Sequence, residues 1–430
     1  MSEAIVIGGG LAGCEAAYQL AKRGILVKLY EQKPKVFSPA HKSQTLAEIV
    51  CSNSLKSTLI DSASGLLKAE LELLDCLILK MAKASSVPAG SALAVDRDAF
   101  SKSVDDFIKK QPNITIINQE VEDFTDNNTI IATGPLTAGK LYENLTNFLG
   151  ENNLHFYDAS APIVSGESID YSKTFSASRF DKGESDYVNC PLDKDEYYNF
   201  VNELVNAKRV ELHDFEKKEI FEGCMPIEVM ASRGIDSLRF GPLKPVGLKL
   251  ENGKRPFAVV QLRRENTEGS LFNLVGFQTN LTFGEQKRVF SLIPALNNAD
   301  FVKYGVMHRN SFICAPKFLN KDFSVKGHDR LFIAGQLSGV EGYVESTMSG
   351  LVAGISLANK ILGKEELNFP KTTMIGSIIN YLTSPNENFE PMNANFGIVP
   401  PLEEKIKDKQ MRKEALSRRA LGDLKEILWN

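Results

Sequence analysis

The sequence predicts an α/β fold: a parallel sheet whose domain is interrupted by a smaller α+β insertion. Three observations predict it. The chain opens with an apolar strand, a glycine-rich turn and a helical pattern, Ile5-Val6-Ile7-Gly8-Gly9-Gly10-Leu11-Ala12-Gly13. A second apolar strand ends in Ala132-Thr133-Gly134-Pro135, and a third, Arg330-Leu331-Phe332-Ile333-Ala334-Gly335-Gln336, runs into a glycine turn and a small-residue helix at 347–359. Three pieces of one kind, far apart in sequence, imply one domain that the chain leaves and re-enters.

The first piece carries the most chemistry. Glycines at 8, 10 and 13 let the backbone turn tightly, approach a pyrophosphate and pack the following helix on the strand. A phosphate would then meet the amides at the N-terminus of the helix at 14–22, where the dipole favours an anion. A second strand at 25–30 leads to Glu31, 18 residues after Gly13, in the place of an acid that binds ribose hydroxyls. Strand, glycines, helix, strand and acid in one register predict a dinucleotide site at Gly8, Gly9, Gly10, Leu11, Ala12, Gly13 and Glu31. Helical patterns follow at 62–83 and 100–110, with a strand at 114–117. The Ala-Thr-Gly turn at Gly134 and the Gly335-Gln336 turn are placed as in flavin disulfide-reductase-like folds, where such turns close the site from its far side. The fold class is therefore an FAD-binding Rossmann-like domain of the glutathione-reductase type. Its first part is expected over 1–186, an insertion over 187–322, and its second part with the C-terminal tail over 323–430. The insertion has a helical, acidic start at 194–208 and strand-like stretches at 258–262 and 274–278. It holds no second Gly-x-Gly-x-x-Gly, so no dedicated pyridine-nucleotide domain is expected.

Composition narrows the class. At 430 residues, 43% hydrophobic and 24% charged, the chain is an ordinary globular protein of two or three domains. No signal-like or bilayer-length apolar stretch is present, so the expectation is a cytoplasmic protein with no membrane partner. Six scattered cysteines without Cys-x-x-Cys argue against zinc or a disulfide framework, and no metal is expected. The net charge of −4 does not advertise nucleic acid. Locally, however, residues 233–264 hold eight basic side chains against Asp236 and Glu251, a net +6, which suits phosphate contact. The basic tail at 405–425 has interleaved acids and reads equally as a solvated helix face.

Longer motifs carry a resemblance. They include Pro39-Ala40-His41, Glu48-Ile49-Val50-Cys51-Ser52-Asn53-Ser54-Leu55, Val87-Pro88-Ala89-Gly90 and Ala94-Val95-Asp96-Arg97. In the insertion stand Gly223-Cys224-Met225-Pro226-Ile227-Glu228, Leu238-Arg239-Phe240-Gly241-Pro242-Leu243-Lys244-Pro245-Val246-Gly247-Leu248 and Gly284-Glu285-Gln286-Lys287-Arg288-Val289. Tyr304-Gly305-Val306-Met307-His308-Arg309-Asn310, Gly339-Val340-Glu341-Gly342-Tyr343-Val344-Glu345-Ser346 and Pro391-Met392-Asn393-Ala394-Asn395-Phe396-Gly397 complete the set. With these the chain resembles the bacterial folate- and FAD-dependent tRNA (uracil-5-)-methyltransferase family. It departs at Gly9, where the family often has Ala, and at Cys14, where it often has Ser. The resemblance implies transfer of a one-carbon unit from 5,10-methylenetetrahydrofolate, through reduced FAD, to C5 of a uridine in the tRNA T-loop, with NADPH or NADH as reductant.

Such chemistry needs a thiolate that adds at uracil C6, making C5 nucleophilic, and a base for the C5 proton. Cys224 lies in a Gly-Cys-Met-Pro turn followed by Arg233 and Arg239; Cys51 precedes Ser-Asn-Ser in a loop. Taken alone, each thiol reads first as core packing. The resemblance implies Cys224 as nucleophile and Cys51 as a second active-site thiol. His308, within His-Arg-Asn, could orient folate or RNA, and Arg309 and Arg97 could clamp folate carboxylates, since a guanidinium fork suits a carboxylate. Tyr343 could stack on a pterin or base, and Glu341 could bond a pterin edge; packing roles are equally open to both. His41 reads as a structural histidine. Other readings are the same chemistry on a 23S rRNA uridine, a flavin-dependent folate oxidoreductase without RNA, and a non-catalytic RNA-binding flavoprotein. Oligomeric state, monomer or dimer, is not legible.

Overall fold

A computed structural model describes residues 2–38, 40–150, 154–181, 186–210, 225–250, 252–266, 268–386 and 389–429; the side chains of 154–159, 181, 308, 309 and 429 are outside the description. The six-stranded main sheet has the order Ser324–Val325, His328–Ile333, Thr129–Ile131, Glu3–Ile7, Leu26–Glu31, Ile114–Asn118. All neighbours are parallel except the two-residue edge strand Ser324–Val325. The inner strands are apolar on both faces, as a covered parallel sheet requires: Val6, Leu29, Ile130, Ile131, Phe332 and Ile333 are all fully buried. The order reverses on either side of Glu3–Ile7, so a crevice opens at the carboxyl ends of the strands at this switch point.

Small residues bring the covering helices close. The first helix, Leu11–Lys22, packs against the long helix Tyr343–Leu362, and a Cβ built on Gly350 would lie 2.2 Å from the carbonyl oxygen of Ala12. The helical pattern at 62–83 is two helices, Ala63–Leu73 and Leu77–Ala84, broken where Asp75 takes φ +60°. Lys22 and Lys80 both pair with the Asp75 carboxylate, and Tyr18 donates to it at 3.0 Å, which makes the break a fixed corner.

The second lobe is an antiparallel sheet in the order Phe175–Ser176, Val188–Leu192, Ala258–Arg264, Leu271–Leu274, Ile163–Ser165, Phe301–Lys303. Its core (Tyr197, Phe200, Phe277, Phe290) is separate from that of the main lobe. The helix Lys194–Asn206 starts at a reciprocal Asp193–Glu196 capping box. The sheet draws in short strands at 163–165 and 175–176, ahead of residue 187, where the sequence suggests the insertion begins; strands of two and three residues carry no readable alternation. Gly276, at φ +79°, turns the chain after Leu274, so the apolar stretch 274–278 is a strand end and a turn. The two crossings between lobes pair with each other: Leu154–Ala159 runs antiparallel to Met307–Phe312. Among the described residues no helix is long and apolar enough to cross a membrane.

Candidate active site

The switch-point crevice is a cavity of about 350 Å³ lined by the Gly8–Ala12 turn, Glu31, Thr133 to Thr137, Gly335, Gln336 and Tyr343. All three glycine pieces read from the sequence meet here. A Cβ on Gly13 would fall 1.8 Å from the Gly8 carbonyl oxygen, and one on Gly8 (φ +105°) 2.5 Å from that of Ala132. Both glycines are therefore required by close backbone packing. Gly10 and Gly134 face no atom within 4 Å, which leaves backbone exposed to the cavity. No side chain caps the first turn of Leu11–Lys22, so its leading amides keep their hydrogen-bonding capacity for an anion. Glu31 accepts from the Gly9 amide at 2.9 Å and from the Lys33 amide at 2.9 Å, one bond per oxygen, and a carboxylate oxygen retains a second lone pair. Gly335 is at φ +75°, its amide bonded to Ser349 Oγ at 2.7 Å, and Gln336 donates to Glu341 at 2.7 Å. The donor set fits a dinucleotide: amides for a pyrophosphate, a carboxylate for a ribose, and a third glycine turn opposite the first.

Lys33, His41 and Glu48 line the same cavity, and only His41 among them draws separate attention in the sequence. Lys33 Nζ lies 3.5 Å from Glu48. The His41 imidazole is pulled below its ordinary pKa by burial and then by Lys33, and its Nδ1 meets Ser38 Oγ at 2.5 Å. Nothing in the local pattern marks Lys33 or Glu48, because they converge only through the loop 32–48.

Cys51 sits at the inner end of this loop, under Tyr343. Its amide donates to the Tyr343 hydroxyl at 2.8 Å, and burial drives the Tyr343 phenol strongly upward, so it stays neutral. Three cations converge on the loop. Arg97 donates from Nη2 to Cys51 O at 3.1 Å, from Nη1 to Ile49 O at 2.8 Å, and from Nε to Glu265 at 2.5 Å. Arg263 reaches Ser52 Oγ at 2.8 Å and Asn53 Oδ1 at 2.9 Å, and Lys303 reaches Val50 O at 3.0 Å. Asp96 caps the helix Arg97–Lys109 through the amides of Asp98 and Ala99, which sets Arg97 at its first position. Burial, then Arg97, lowers the Lys303 ammonium to about 8. Asn53 stitches the lobes together, donating to Val95 O at 3.0 Å and Arg264 O at 2.9 Å.

The expected site residues divide into those the structure describes and those it does not. Arg97 directs three donors at the Cys51 loop and Glu265, and Glu341 holds Gln336. His308 and Arg309 lie on the strand Met307–Phe312, with side chains outside the description. Cys224 lies outside the described residues; the chain resumes at Met225, and Ile227 N bonds Gln278 O at 2.7 Å. Arg263, Glu265 and Lys303 were not singled out as site residues in sequence, since they come from two separate strand ends of the insertion.

A family model described as glucose inhibited division protein A matches residues 3–365. The chain is 56% identical over 426 residues to the methylenetetrahydrofolate–tRNA-(uracil-5-)-methyltransferase TrmFO of Acetivibrio thermocellus, with 98% of both chains covered. It is 52% identical over 424 residues to the protein of the same name from Ligilactobacillus salivarius, covering 98% of this chain and 97% of that one. The Aquifex aeolicus GidA structure superposes with a TM-score of 0.70 at 17% identity, over 99% of this chain and 73% of the other. At that identity the likeness is one of fold.

Proposed function

The chain belongs to the TrmFO family of methylenetetrahydrofolate–tRNA-(uracil-5-)-methyltransferases, and on that premise we propose that it forms 5-methyluridine in the tRNA T-loop with carbon from 5,10-methylenetetrahydrofolate. The observation that carries this reading is identity above half over essentially the whole chain, together with a crevice whose donors fit FAD. When bound, FAD would supply the redox and one-carbon chemistry, with NAD(P)H as the source of electrons.

The chain's own residues have distinct tasks. The first-turn amides at Leu11 to Gly13 hold the pyrophosphate, Glu31 the ribose, and the Gly134 and Gly335-Gln336 turns close on the cofactor from the opposite side. Glu341 fixes the Gln336 amide. Cys224 adds as thiolate to uracil C6, so that C5 becomes an enolate carbon able to attack the one-carbon electrophile. Loss of the C5 proton with cleavage of that carbon's bond to its carrier leaves an exocyclic methylene, and a hydride equivalent drawn from NAD(P)H makes it methyl as the thiolate leaves C6 and the aromatic base is restored. Cys51 is the second thiol of the site. An anion there faces the charges of Arg97 and Lys303, a field that suits a thiolate. His308 and Arg309 serve folate or RNA, and Arg97 serves the site through the Cys51 loop. With tRNA and folate as its substrates, the enzyme works in the cytoplasm.

Carbon-labelled methylenetetrahydrofolate, with FAD and NADPH, tests the reading on a T-loop-containing tRNA transcript and an rRNA fragment. Label in 5-methyluridine of the tRNA is the expected result. Label in the rRNA alone moves the target while keeping the chemistry. Folate oxidised with neither RNA labelled would overturn the proposal.

A further inference from the structure

The +6 segment of the second lobe is not used by the cofactor crevice. It carries one exposed phenyl ring, Phe240, and its Gly247 packs against a second, Phe180. Phe240, 83% exposed, ends the short helix Ser237–Phe240, and Phe180 is 61% exposed. Single exposed apolar residues are common and need no explanation. These two differ because the backbone beneath them is held firmly. Phe240 lies between the buried anchors Leu238 and Leu243, with Leu243 N bonded to Leu238 O at 2.9 Å. Arg239 is pinned to Phe257 O at 3.0 Å and Asp236 at 3.0 Å, its guanidinium 3.7 Å from the Phe257 ring. Phe180 has φ +59°, a left-handed conformation that a bulky residue rarely adopts. That strain is maintained by Phe180 N bonding Gly247 O at 3.0 Å and by Arg179 donating to Val246 O at 3.0 Å.

Gly247 (φ +85°) lies under the Phe180 ring; a Cβ there would sit 3.0 Å from its carbons. The loop 241–247 therefore runs from one exposed ring to the other. Lys244 within it and Lys249, Lys254 and Arg255 just beyond are exposed, and among the described residues none of the four pairs with a carboxylate. The segment also adjoins the described end of the Gly-Cys-Met-Pro turn: Gly241 packs under Met230 Sδ, and a Cβ on Gly276 would meet Pro242 Cβ at 2.5 Å.

We propose that Phe240 and Phe180 are stacking platforms for unpaired nucleotides of the RNA substrate, whose phosphates lie along Lys244 and Lys249. Rigid aromatic faces between cations are what single-stranded segments require, since every base has a π-face and every linkage a charge. A fully paired helix offers no base to stack. The proposal rests on the RNA-methyltransferase reading and adds where the RNA lies and that an opened loop is the form gripped.

The test measures binding of a T-arm hairpin RNA and of a fully paired RNA of equal length to the FAD-bound protein. Phe240→Ala is expected to weaken hairpin binding roughly 5- to 150-fold, with Phe240→Trp restoring it and duplex binding little changed. Lys244→Ala is expected to reduce the slope of log K against log salt by about 0.7. FAD content and melting temperature report folding, and a side chain this exposed can be truncated without a cavity. Hairpin binding within twofold of the parent for both Phe240→Ala and Phe180→Ala would overturn the inference, as would an equal loss on duplex. If the parent also labels tRNA, the methyltransferase reading survives that failure; a parent that labels no RNA fails the reading itself.

Discussion

Replacing Arg97 by Met tests whether the Cys51 loop is held by the other lobe. The guanidinium directs one charged bond to Glu265 and two bonds to the carbonyls of Ile49 and Cys51. The Glu265 side chain is 2% exposed, and its other oxygen has no hydrogen-bond partner among the described residues. Arg97→Met would leave both oxygens of a buried carboxylate without a direct donor. Breaking one side of a buried pair costs about 3–5 kcal/mol. The charges of Arg263 and Lys303, which also act on Glu265, keep the expected value at the lower end, about 3 kcal/mol. Arg97→Lys keeps the charge but loses the planar fork, and about 1–2 kcal/mol is expected. Urea unfolding at fixed FAD concentration reads both, as a shift in midpoint at unchanged slope. Iodoacetamide labelling at alkaline pH, where the thiol is ionised with or without the Arg97 field, then locates the effect: Cys51 should react faster in Arg97→Met, whereas the buried Cys14 and Cys76 should not. An Arg97→Met protein within about 0.5 kcal/mol of the parent, or an Arg97→Lys protein no better than Arg97→Met, would refute the reasoning, because the error on such midpoints is smaller than the effect.

Other predictions follow from single contacts. Gly13→Ala places a methyl 1.8 Å from a backbone oxygen that cannot move away, so the protein should purify without FAD and lose at least about 1–3 kcal/mol; full flavin absorbance would contradict this. Lys303 is depressed from 10.5 to about 8, so between those values the unfolded chain binds the extra proton and stability rises with pH. Lys303→Met should flatten that rise by up to about 3 kcal/mol before solvent screening, judged against the parent because Lys68, also lowered to about 8 by burial, contributes the same sign. Glu70, fully buried against the amides of Met374 and Ile375, is raised from 4.5 to about 8 by burial. Across that window the folded state holds the extra proton, so stability falls as pH rises, and Glu70→Gln should remove that part of the slope in a pH series of melts. Cys224→Ser should abolish RNA labelling while leaving FAD bound, which separates the adduct step from cofactor binding.

The parallel sheet, the glycine cradle and the acid at Glu31 were legible in sequence because each rests on local rules. Period, turn chemistry and a fixed spacing act within a few tens of residues, and a glycine forced by a 1.8 Å approach leaves a mark that one chain suffices to read. Helix ends were less so: residues 62–83 kept one periodicity across the corner at Asp75, whose left-handed turn is held by Lys80 within the stretch and by Lys22 and Tyr18 from the first helix. The whole-chain motifs carried the family, and with it the one-carbon chemistry, before any contact was known.

Only the tertiary structure decided what surrounds Cys51. Arg97, Arg263, Glu265 and Lys303 come from the start of a helix, the end of one insertion strand, the residue after it and the end of another strand. No local pattern relates them, because a desolvated charge takes its meaning from partners brought together across hundreds of residues. Likewise, the sequence showed a net charge of +6 in the insertion, but the same residues could have been buried pairs. The fold turned Phe180 and Phe240 outward beside exposed lysines, since exposure is a property of packing and not of composition.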